Sequence, residues 1–391
     1  MRRRTFVRGA MMAAAAVALP AAALAQDAVK IGLILPLTGQ QASTGKQIKA
    51  AVELYMKQHG TRIAGRNIDL IVKDDGAVPD NTKRIAQELI INDKVGVIAG
   101  FGITPTALAV APLATEAKVI ELVMAAGTSI ITERSPYIVR TSFTLAQSTV
   151  PMADWAVRNG IKKVVSMVSD YAPGHDAEKS FTERFKEAGG QVLEDIRFPL
   201  ANPDFSPFLQ RAADANPDAI FVFVPSGQGG SFVKQYIERG LDKAGIKIIG
   251  PGDVTDDDLL NGMGDQVIGT VTAHFYSADH PSEANKAYVA AFKAANNFRP
   301  NFMSVGGYDG MHLIYAALQK TGGRSDGDAL IGAMRGLAWE SPRGPISIDP
   351  ETRDIVQNVY MRKVERQGGE LFNVEFETFP AIKDPVKAAK K

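Results

Sequence analysis

The sequence predicts an α/β protein with two lobes, each containing a doubly wound, mainly parallel sheet. Short apolar runs typical of buried strands alternate with stretches typical of helices, and the loops between them are short. This alternation runs once up to an extended link near residues 137–142 and then begins again. The chain has 391 residues, which is enough to give each unit its own core.

The first unit alternates strands and helices in the order expected of a parallel sheet. Apolar residues at Ile48, Ala51, Val52 and Tyr55 have the spacing of one helix face. The predicted elements are strand 29–35, helix 46–59, strand 68–73, helix 81–92, strand 95–99, helix 107–117 and strand 119–124.

The second unit repeats the plan and ends with two late strands. Its predicted elements are helix 146–159, strand 163–169, helix 177–188, strand 192–198, helix 205–215, strand 219–224, helix 230–241, strand 246–249, a crossing at 269–276, helices 282–296 and 308–321, and strands 344–348 and 356–363. Ligands of such sheets bind outside the carboxyl ends of the strands. Two facing units would therefore enclose a ligand between their loops.

Two strand-end loops between residues 100 and 132 are well suited to bind an anion. Gly102 and Thr104 follow one strand, with Thr104 predicted as the N-cap and Pro105 as the first residue of a helix. Residues 125–128 follow the next strand. Small residues let backbone N–H groups approach a ligand, and helix N-termini favour negative charge. The stretch alone leaves open that these are two ordinary β-to-α loops.

Composition excludes several classes of function. Apolar residues make up 45% of the chain and charged residues 22%, as in globular proteins. Without the four arginines of residues 1–25, 40 basic and 43 acidic side chains remain, a net charge of −3. This argues against a nucleic-acid partner, which needs a basic patch. There is no cysteine, so disulfides, zinc-thiolate sites and cysteine nucleophiles are excluded.

Residues 1–25 have the three parts of a signal peptide. A basic segment, MRRRTFVRGA, precedes the apolar MMAAAAVALPAAA and an A-x-A site at Ala23–Ala25. We therefore expect cleavage after Ala25 and a periplasmic protein. The paired arginines also resemble a twin-arginine signal, and the export route stays open. No later segment is long and apolar enough to embed the protein in a membrane.

The motifs of common enzymes are missing. The loop at 39–46 has five residues between its glycines, where a phosphate-binding loop has four, and Gln47 replaces the required hydroxyl residue. Neither G-x-S-x-G nor H-E-x-x-H occurs, and the five histidines show no metal-ligand spacing. We expect no catalysis, no cofactor and no metal. The acidic run 256–258 could bind a cation or cap a helix.

Two groups of aromatic residues have alternative explanations. His274, Phe275 and Tyr276 lie at a predicted hinge, where they could stack on a ligand ring or pack the junction between lobes. Tyr171 follows a strand and could close over a ligand, or pack as an ordinary strand-end residue.

Several segments together resemble the leucine/isoleucine/valine-type periplasmic binding proteins, the type I solute-binding proteins of ABC importers. They are the leader, VKIGLILPLTG, the G-x-x-A spacing of the first helix, the KDDG turn, GVIAGFGITPTALAVAPLA and SVGGYDGMHLIYAAL. The resemblance implies a two-lobed fold with a three-crossing hinge, here near Ser142, Phe275 and Ile348. One lobe would comprise 27–143 plus 276–345, and the other 144–275 plus 346–391.

The resemblance also implies a function. Such a protein, expected to be a monomer, captures a small carboxylate between its lobes and delivers it to importer permease subunits. The predicted ligand-binding residues are Thr44, Gly102, Thr104, Ala125, Gly127, Thr128, Tyr171 (or the nearby Pro173), Asp253, Phe275 and Met303. Alternatives are a sensory protein on the same fold and, from another class, a hydrolase of small acids.

One position departs from the family. The glutamate that contacts the ligand ammonium in these proteins is replaced by Gly252, with Asp253 next to it. An ammonium buried without a carboxylate would be penalised. We therefore expect an aromatic or other amine-free carboxylate in preference to a branched-chain amino acid, unless Asp253 replaces the glutamate.

Overall fold

The computed structural model describes residues 28–390, so the predicted signal peptide at 1–25 lies outside the described residues. The first sheet has six strands in the order β2-β3-β1-β4-β5-β6. All its pairings are parallel except that of β2 with β3. The strands are β1 (Val29–Leu35), β2 (Arg62–Ile63), β3 (Arg66–Asp74), β4 (Val97–Gly100), β5 (Ile120–Val123) and β6 (Ile138–Arg140).

The second sheet has nine strands. They are β7 (Lys163–Ser169), β8 (Gln191–Phe198), β9 (Ala219–Phe223), β10 (Lys247–Pro251), β11 (Val271–His274), β12 (Ala338–Ser341), β13 (Gly344–Ile348), β14 (Ile355–Gln367) and β15 (Glu370–Ile382). Strands β8, β7, β9, β10 and β11 run parallel in that order. β14 pairs antiparallel with β11, and β12, β13 and β15 extend this antiparallel part.

Eleven α-helices connect and cover the strands of residues 28–390. They are α1 (Ala42–His59), α2 (Pro79–Glu88), α3 (Thr104–Ala117), α4 (Leu145–Arg158), α5 (Ala172–Glu187), α6 (Ser206–Asp214), α7 (Gly229–Glu238), α8 (Glu283–Asn296), α9 (Phe302–Thr321), α10 (Gly327–Met334) and α11 (Pro385–Ala388). Within this part of the chain, no helix combines the length and apolarity that crossing a membrane requires.

Helix α9 returns the chain to the first sheet and is held close to it by glycines. The Asn301 side chain accepts the N–H groups of Met303 and Ser304 and so fixes where the helix begins. A Cβ built on Gly306 would overlap the carbonyl oxygen of Met124 after β5. Side chains at this position are excluded, and the close approach fixes Met303 near the end of β5.

A buried arginine stabilises the first segment in which the chain crosses between the two sheets. Arg343 forms an ion pair with Asp309 of α9 at 2.7 Å. Its guanidinium also donates to the carbonyl oxygens of Thr141 (2.5 Å) and Ser142 (3.1 Å), in the link between β6 and α4. Phe275, at the second crossing, lies under the same guanidinium at 4.8 Å. One side chain therefore joins both crossings to helix α9.

The strand pairing places the third crossing earlier than residue 348. Strands β12 and β13 pair with each other, and β13 pairs with β14 of the second sheet. The chain thus leaves α10 and joins the second sheet between Met334 and Ala338. The predicted lobe boundary at 345 lies inside this antiparallel segment. The division of the chain into lobes at these residue numbers stays a prediction.

Candidate functional site

A cavity lies where strand ends of the two sheets face each other. One side consists of the loops after β4 and β5, residues 101–104 and 125–128, which we call the first-sheet wall. The other is formed by residues 171–173, 223–226 and 252–253, at the ends of β7, β9 and β10, which we call the second-sheet wall. Its lining residues are Tyr171, Pro173, Phe223, Pro225, Ser226 and Asp253. Gln41, Phe143, Leu145 and Met303 line the remaining side.

The first-sheet wall presents hydroxyl and amide donors. The Oγ1 atoms of Thr104 and Thr128 are buried and 2.7 Å apart. Thr104 is the first residue of α3, Pro105 has no N–H, and the Thr106 N–H donates to the Ile103 carbonyl at 3.2 Å. The Thr104 N–H is therefore the first-turn donor left for a ligand, at a helix end that attracts anions.

The prediction that Thr104 caps α3 is wrong by one residue. Ile103 has an extended backbone (φ −135°, ψ 156°) and occupies the N-cap position. The Thr104 hydroxyl reaches across to the loop after β5, so it does not bond back to its own helix. The two strand-end loops are thereby joined at the wall of the cavity.

Two glycines allow the backbone of the first-sheet wall to approach the cavity. A Cβ on Gly102 would lie 2.6 Å from Pro36 Cγ, and one on Gly127 would lie 2.5 Å from Leu145 Cδ2. Both distances are shorter than van der Waals contact. Neither position can carry a side chain without displacing its neighbour.

Arg140 fixes the carbonyl groups of the 125–128 loop. Its guanidinium donates to the carbonyl oxygens of Ala126 (3.3 Å), Thr128 (2.7 Å) and Phe143 (2.7 Å). It also pairs with Asp354 at 3.1 Å, and both side chains are buried. The Arg140 guanidinium therefore holds the 125–128 loop in place, and the Asp354 carboxylate balances its charge.

The second-sheet wall is partly aromatic. The rings of Tyr171 and Phe223 stack, with centroids 6.2 Å apart and planes 16° apart. Burial, and next the charge of Asp253, raises the pKa of Tyr171. Phe143 adds a third ring to the lining. Aromatic side chains of this kind favour a flat apolar group as the occupant.

Asp253 is a buried carboxylate with spare hydrogen-bonding capacity. It is 3% exposed, and its Oδ2 has no hydrogen-bond partner among residues 28–390. The nearest basic group is His274 Nε2, at 3.6 Å. Burial raises the pKa of Asp253 to about 7, and the charge of Arg362 opposes this shift. The cavity therefore has one unsatisfied acceptor on its second-sheet wall.

No side chain fits at residue 252. A Cβ built on Gly252 would overlap Nη2 of Arg362 and lie 2.5 Å from Cδ2 of His274. Arg362 is held there because its Nη1 donates to the Tyr276 carbonyl and its Nη2 to Thr272 Oγ1 at 3.1 Å. A guanidinium thus fills the space next to the backbone of residue 252.

The acidic run after this turn does not cap an α-helix, and its carboxylates accept hydrogen bonds from protein side chains. Asp256 accepts from Ser226, Asp257 from Asn373 (3.0 Å), and Asp258 from Asn301 (3.0 Å). Each carboxylate has its own protein partner. In the described part of the chain, no three metal-ligating side chains come together.

The structure brings seven of the ten predicted residues to the cavity. They are Gly102, Thr104, Ala125, Gly127, Tyr171, Asp253 and Met303. Thr128 bonds to Thr104 beside them. Thr44 is buried under Gly102, and its hydroxyl has no partner among the described residues. Phe275 packs at the crossings against Phe143 and Phe302, as in the second of its two explanations.

Other lining residues were not predicted. Phe223, Pro225 and Ser226 follow strand β9, so the strand-end rule that identified Thr104 would also have identified them. Phe143 and Leu145 lie in the first crossing, where the local sequence has no such signal.

The two sides of the cavity are in direct contact. The Ser129 N–H donates to Asp176 Oδ2 at 2.9 Å, joining the segment after β5 to helix α5. Ser43 of α1 donates to Asp258 at 3.2 Å, and Gln40 donates to Asn202. The cavity is therefore enclosed by hydrogen bonds between residues associated with different sheets.

Known proteins are similar to this chain in sequence and architecture. A model of the periplasmic binding protein family matches residues 28–370. A Leu/Ile/Val-binding protein homolog of Brucella abortus is 42% identical, over 96% of this chain and 98% of its own length.

Two solved structures are also similar. The solute-binding protein of an ABC transporter from Rhodopseudomonas palustris BisB5, in complex with 3,4-dihydroxybenzoic acid, is 69% identical with a TM-score of 0.91, covering 92% of this chain and 99% of that one. A solute-binding protein from R. palustris in complex with 4-hydroxybenzoate is 44% identical with a TM-score of 0.90, covering 93% and 100%. The chain therefore belongs to the periplasmic binding protein family, as a two-lobed type I solute-binding protein of the ABC-transporter class.

Proposed function

We propose that this protein captures an amine-free aromatic carboxylate in the periplasm and delivers it to an ABC importer. The observation that carries the proposal is the guanidinium of Arg362 beside Gly252. Where the family's glutamate would attract an α-ammonium group, this chain places a cation. An ammonium on that side would have to pair with Asp253 and would be opposed by the guanidinium in a site of low dielectric constant.

The first-sheet wall supplies what a carboxylate needs. The hydroxyls of Thr104 and Thr128 and the N–H of Thr104 converge at the start of α3. Charge-assisted hydrogen bonds of this kind are about twice as strong as neutral ones. In the proposed complex they hold the ligand carboxylate, and Thr44 lies behind them, buried under Gly102.

The remaining lining suits an aromatic ring. Tyr171, Phe223 and Phe143 provide flat apolar surfaces, and Met303 can adapt to the ring edge. The ligands of the two R. palustris proteins, both hydroxylated benzoic acids, support this ligand class.

Ligand entry requires the two walls to move. The free volume of the cavity is about 30 Å³, room for about two water molecules. A benzoate is larger, so the contacts between the walls must open and re-form around it. Ligand contacts on both walls would then favour the closed state that the importer recognises.

A thermal-shift screen tests the proposed ligand class. Binding stabilises the folded protein by RT ln(1 + [L]/Kd), so benzoates should raise the midpoint of unfolding and leucine, isoleucine and valine should not. Stabilisation by the amino acids alone would contradict the proposal. Stabilisation by neither class would show that the ligand is of another kind.

A further inference from the structure

The unsatisfied carboxylate of Asp253 remains to be explained. Asp253 lies in the turn of 3₁₀-helix Gly252–Thr255 after β10, lines the cavity and is 3% exposed. A buried carboxylate oxygen without a hydrogen bond is destabilising, and such groups are rare in proteins. Binding a donor from a ligand would remove this cost.

Protein donors near Asp253 are directed elsewhere. Arg362 donates to Tyr276 and Thr272 and lies 3.8 Å from Asp257 Oδ2. The Nδ1 of His274 accepts the Phe275 N–H at 3.0 Å, so the neutral ring carries its proton on Nε2. That Nε2 is 3.6 Å from Asp253 Oδ2, too far for a hydrogen bond. Neither side chain hydrogen-bonds to the Asp253 carboxylate, and Asp253 lines the cavity.

Asp253 and the threonine pair lie on opposite walls. Thr104 follows β4 of the first sheet, whereas Asp253 follows β10 of the second. A carboxylate held at Thr104 directs the far edge of an aromatic ring towards the second-sheet wall. A hydroxyl at the ring position para to the carboxylate would then point at Asp253, while an ortho hydroxyl would stay near the first-sheet wall.

We propose that Asp253 selects benzoates with a ring hydroxyl distant from the carboxylate, by accepting a hydrogen bond from that hydroxyl. The inference rests on the proposed function, because it assumes a benzoate bound at Thr104. A hydroxyl group both donates and accepts, so it can pair with Asp253 in either protonation state. An unsubstituted benzoate would instead leave the carboxylate unpaired.

Tyr171 and Ser226 are the other polar side chains on this wall, and Ser226 is already engaged. Its hydroxyl donates to Asp256, which also accepts the Gly227 N–H at 3.1 Å. It has no proton left to donate to a ligand. Asp253 is the side chain on this wall with a carboxylate oxygen that lacks a partner among residues 28–390, so its removal should abolish hydroxyl selectivity.

Calorimetry of the mature protein with benzoate, 2-hydroxybenzoate and 4-hydroxybenzoate tests this. The wild type should bind 4-hydroxybenzoate about tenfold or more tightly than benzoate, as expected for a charge-assisted hydrogen bond. Asp253→Leu should bind the two equally. Asp253→Asn, which keeps the volume, should reduce the ratio by about threefold or more. Glu121→Gln is the control, since Glu121 is a buried carboxylate outside the cavity lining.

The outcomes separate this inference from the proposed function. If aromatic acids bind but the wild type does not distinguish them, or if the ratio is unchanged in both Asp253 variants, the role of Asp253 is overturned while the proposed function stands. If no aromatic acid binds the wild type, the proposed function itself fails. If Asp253→Leu does not fold, Asp253→Asn decides.

Discussion

The first-sheet wall and the second-sheet wall differ in how their buried polar groups are satisfied. Around the first, Thr104 and Thr128 bond to each other and Arg140 is paired with Asp354. Around the second, Asp253 Oδ2 and His274 Nε2 have no hydrogen-bond partner within residues 28–390. The groups left without partners around the first wall are donors, the Thr104 N–H and the Thr44 hydroxyl, whereas the second wall has an acceptor without a partner, the Asp253 carboxylate.

This difference suggests that the two walls have different roles in ligand binding. Donors at a helix start suit any carboxylate, so the first-sheet wall can serve ligands of many classes. The second-sheet wall combines a guanidinium at Gly252 with an unpartnered carboxylate at Asp253, an arrangement that suits few ligands. We infer that the ligand class is decided on the second-sheet wall.

The largest expected effect concerns the glycine of that wall. Gly252→Ala should lower the free energy of unfolding by about 1–3 kcal/mol, because the new methyl must displace Arg362 from its hydrogen bonds. Chemical denaturation measures this. Gly262→Ala is the matched control, since a Cβ there has no neighbour within 4 Å and should change stability by less than about 0.5 kcal/mol. Equal stability of the two variants would show that residue 252 has room for a side chain.

The next effect concerns the first-sheet wall. Thr104→Val removes a hydroxyl from the anion site, so affinity for every carboxylate ligand should fall about tenfold or more, with the fold intact. Thr106→Val is the control: its hydroxyl is buried in the same turn but donates to the Ile103 carbonyl at 2.7 Å. Unchanged affinity in Thr104→Val, measured by calorimetry, would place the ligand carboxylate elsewhere.

A smaller effect concerns the contact between the walls. Asp176→Ala removes the acceptor of the Ser129 N–H and should weaken ligand binding roughly two- to tenfold. Lys179→Ala, on the exposed face of the same helix, should leave affinity unchanged.

Small-angle scattering should show a smaller radius of gyration with saturating ligand in the wild type. A radius that does not change would contradict closure of the two lobes.

The smallest expected effect distinguishes Glu121 from Asp253, the other buried carboxylate described above that has an oxygen without a hydrogen-bond partner among residues 28–390. Glu121 of β5 is fully buried with no partner for either oxygen among the described residues, and burial holds its pKa well above the ordinary value. Above a pH of about 4.3 the unfolded chain releases this proton while the folded protein keeps it. The free energy of unfolding therefore falls as pH rises.

Glu121→Gln should remove that contribution. Compared with the wild type, the variant should gain stability between pH 4 and neutrality, in denaturant titrations at several pH values, with ligand affinity unchanged. Parallel pH profiles of the two proteins would show that Glu121 does not retain its proton. A change in affinity would show that its effect reaches the cavity.

The sequence predicts the parallel parts of both sheets because the strand and helix signals there are local. Strand β15, from Glu370 to Ile382, was missed, since most of its residues are exposed or half-buried and its apolar alternation is weak. The third crossing was placed too late, because β12 and β13 are defined by pairing with β14.

The site was predictable where it follows strand ends. Thr104 was identified in this way and Ser226 obeys the same rule, whereas Asp253 was identified from the resemblance to the family. The need for a glycine at residue 252 was not predictable. Arg362, which fills the space where a side chain would lie, comes from a strand distant in sequence. No local pattern indicates which side chain a fold will place beside a glycine.

The most direct test of the central claim compares two ligands that differ only in the ammonium group. Leucine and 4-methylpentanoate share the carboxylate and the branched chain, so calorimetry with both isolates the effect of the second-sheet wall. We predict that 4-methylpentanoate binds at least about tenfold more tightly than leucine, because Arg362 opposes the ammonium. Tighter binding of leucine, lost in Asp253→Ala, would show that Asp253 replaces the family's glutamate as the partner of the ammonium group. That result would contradict the proposed preference for an amine-free carboxylate.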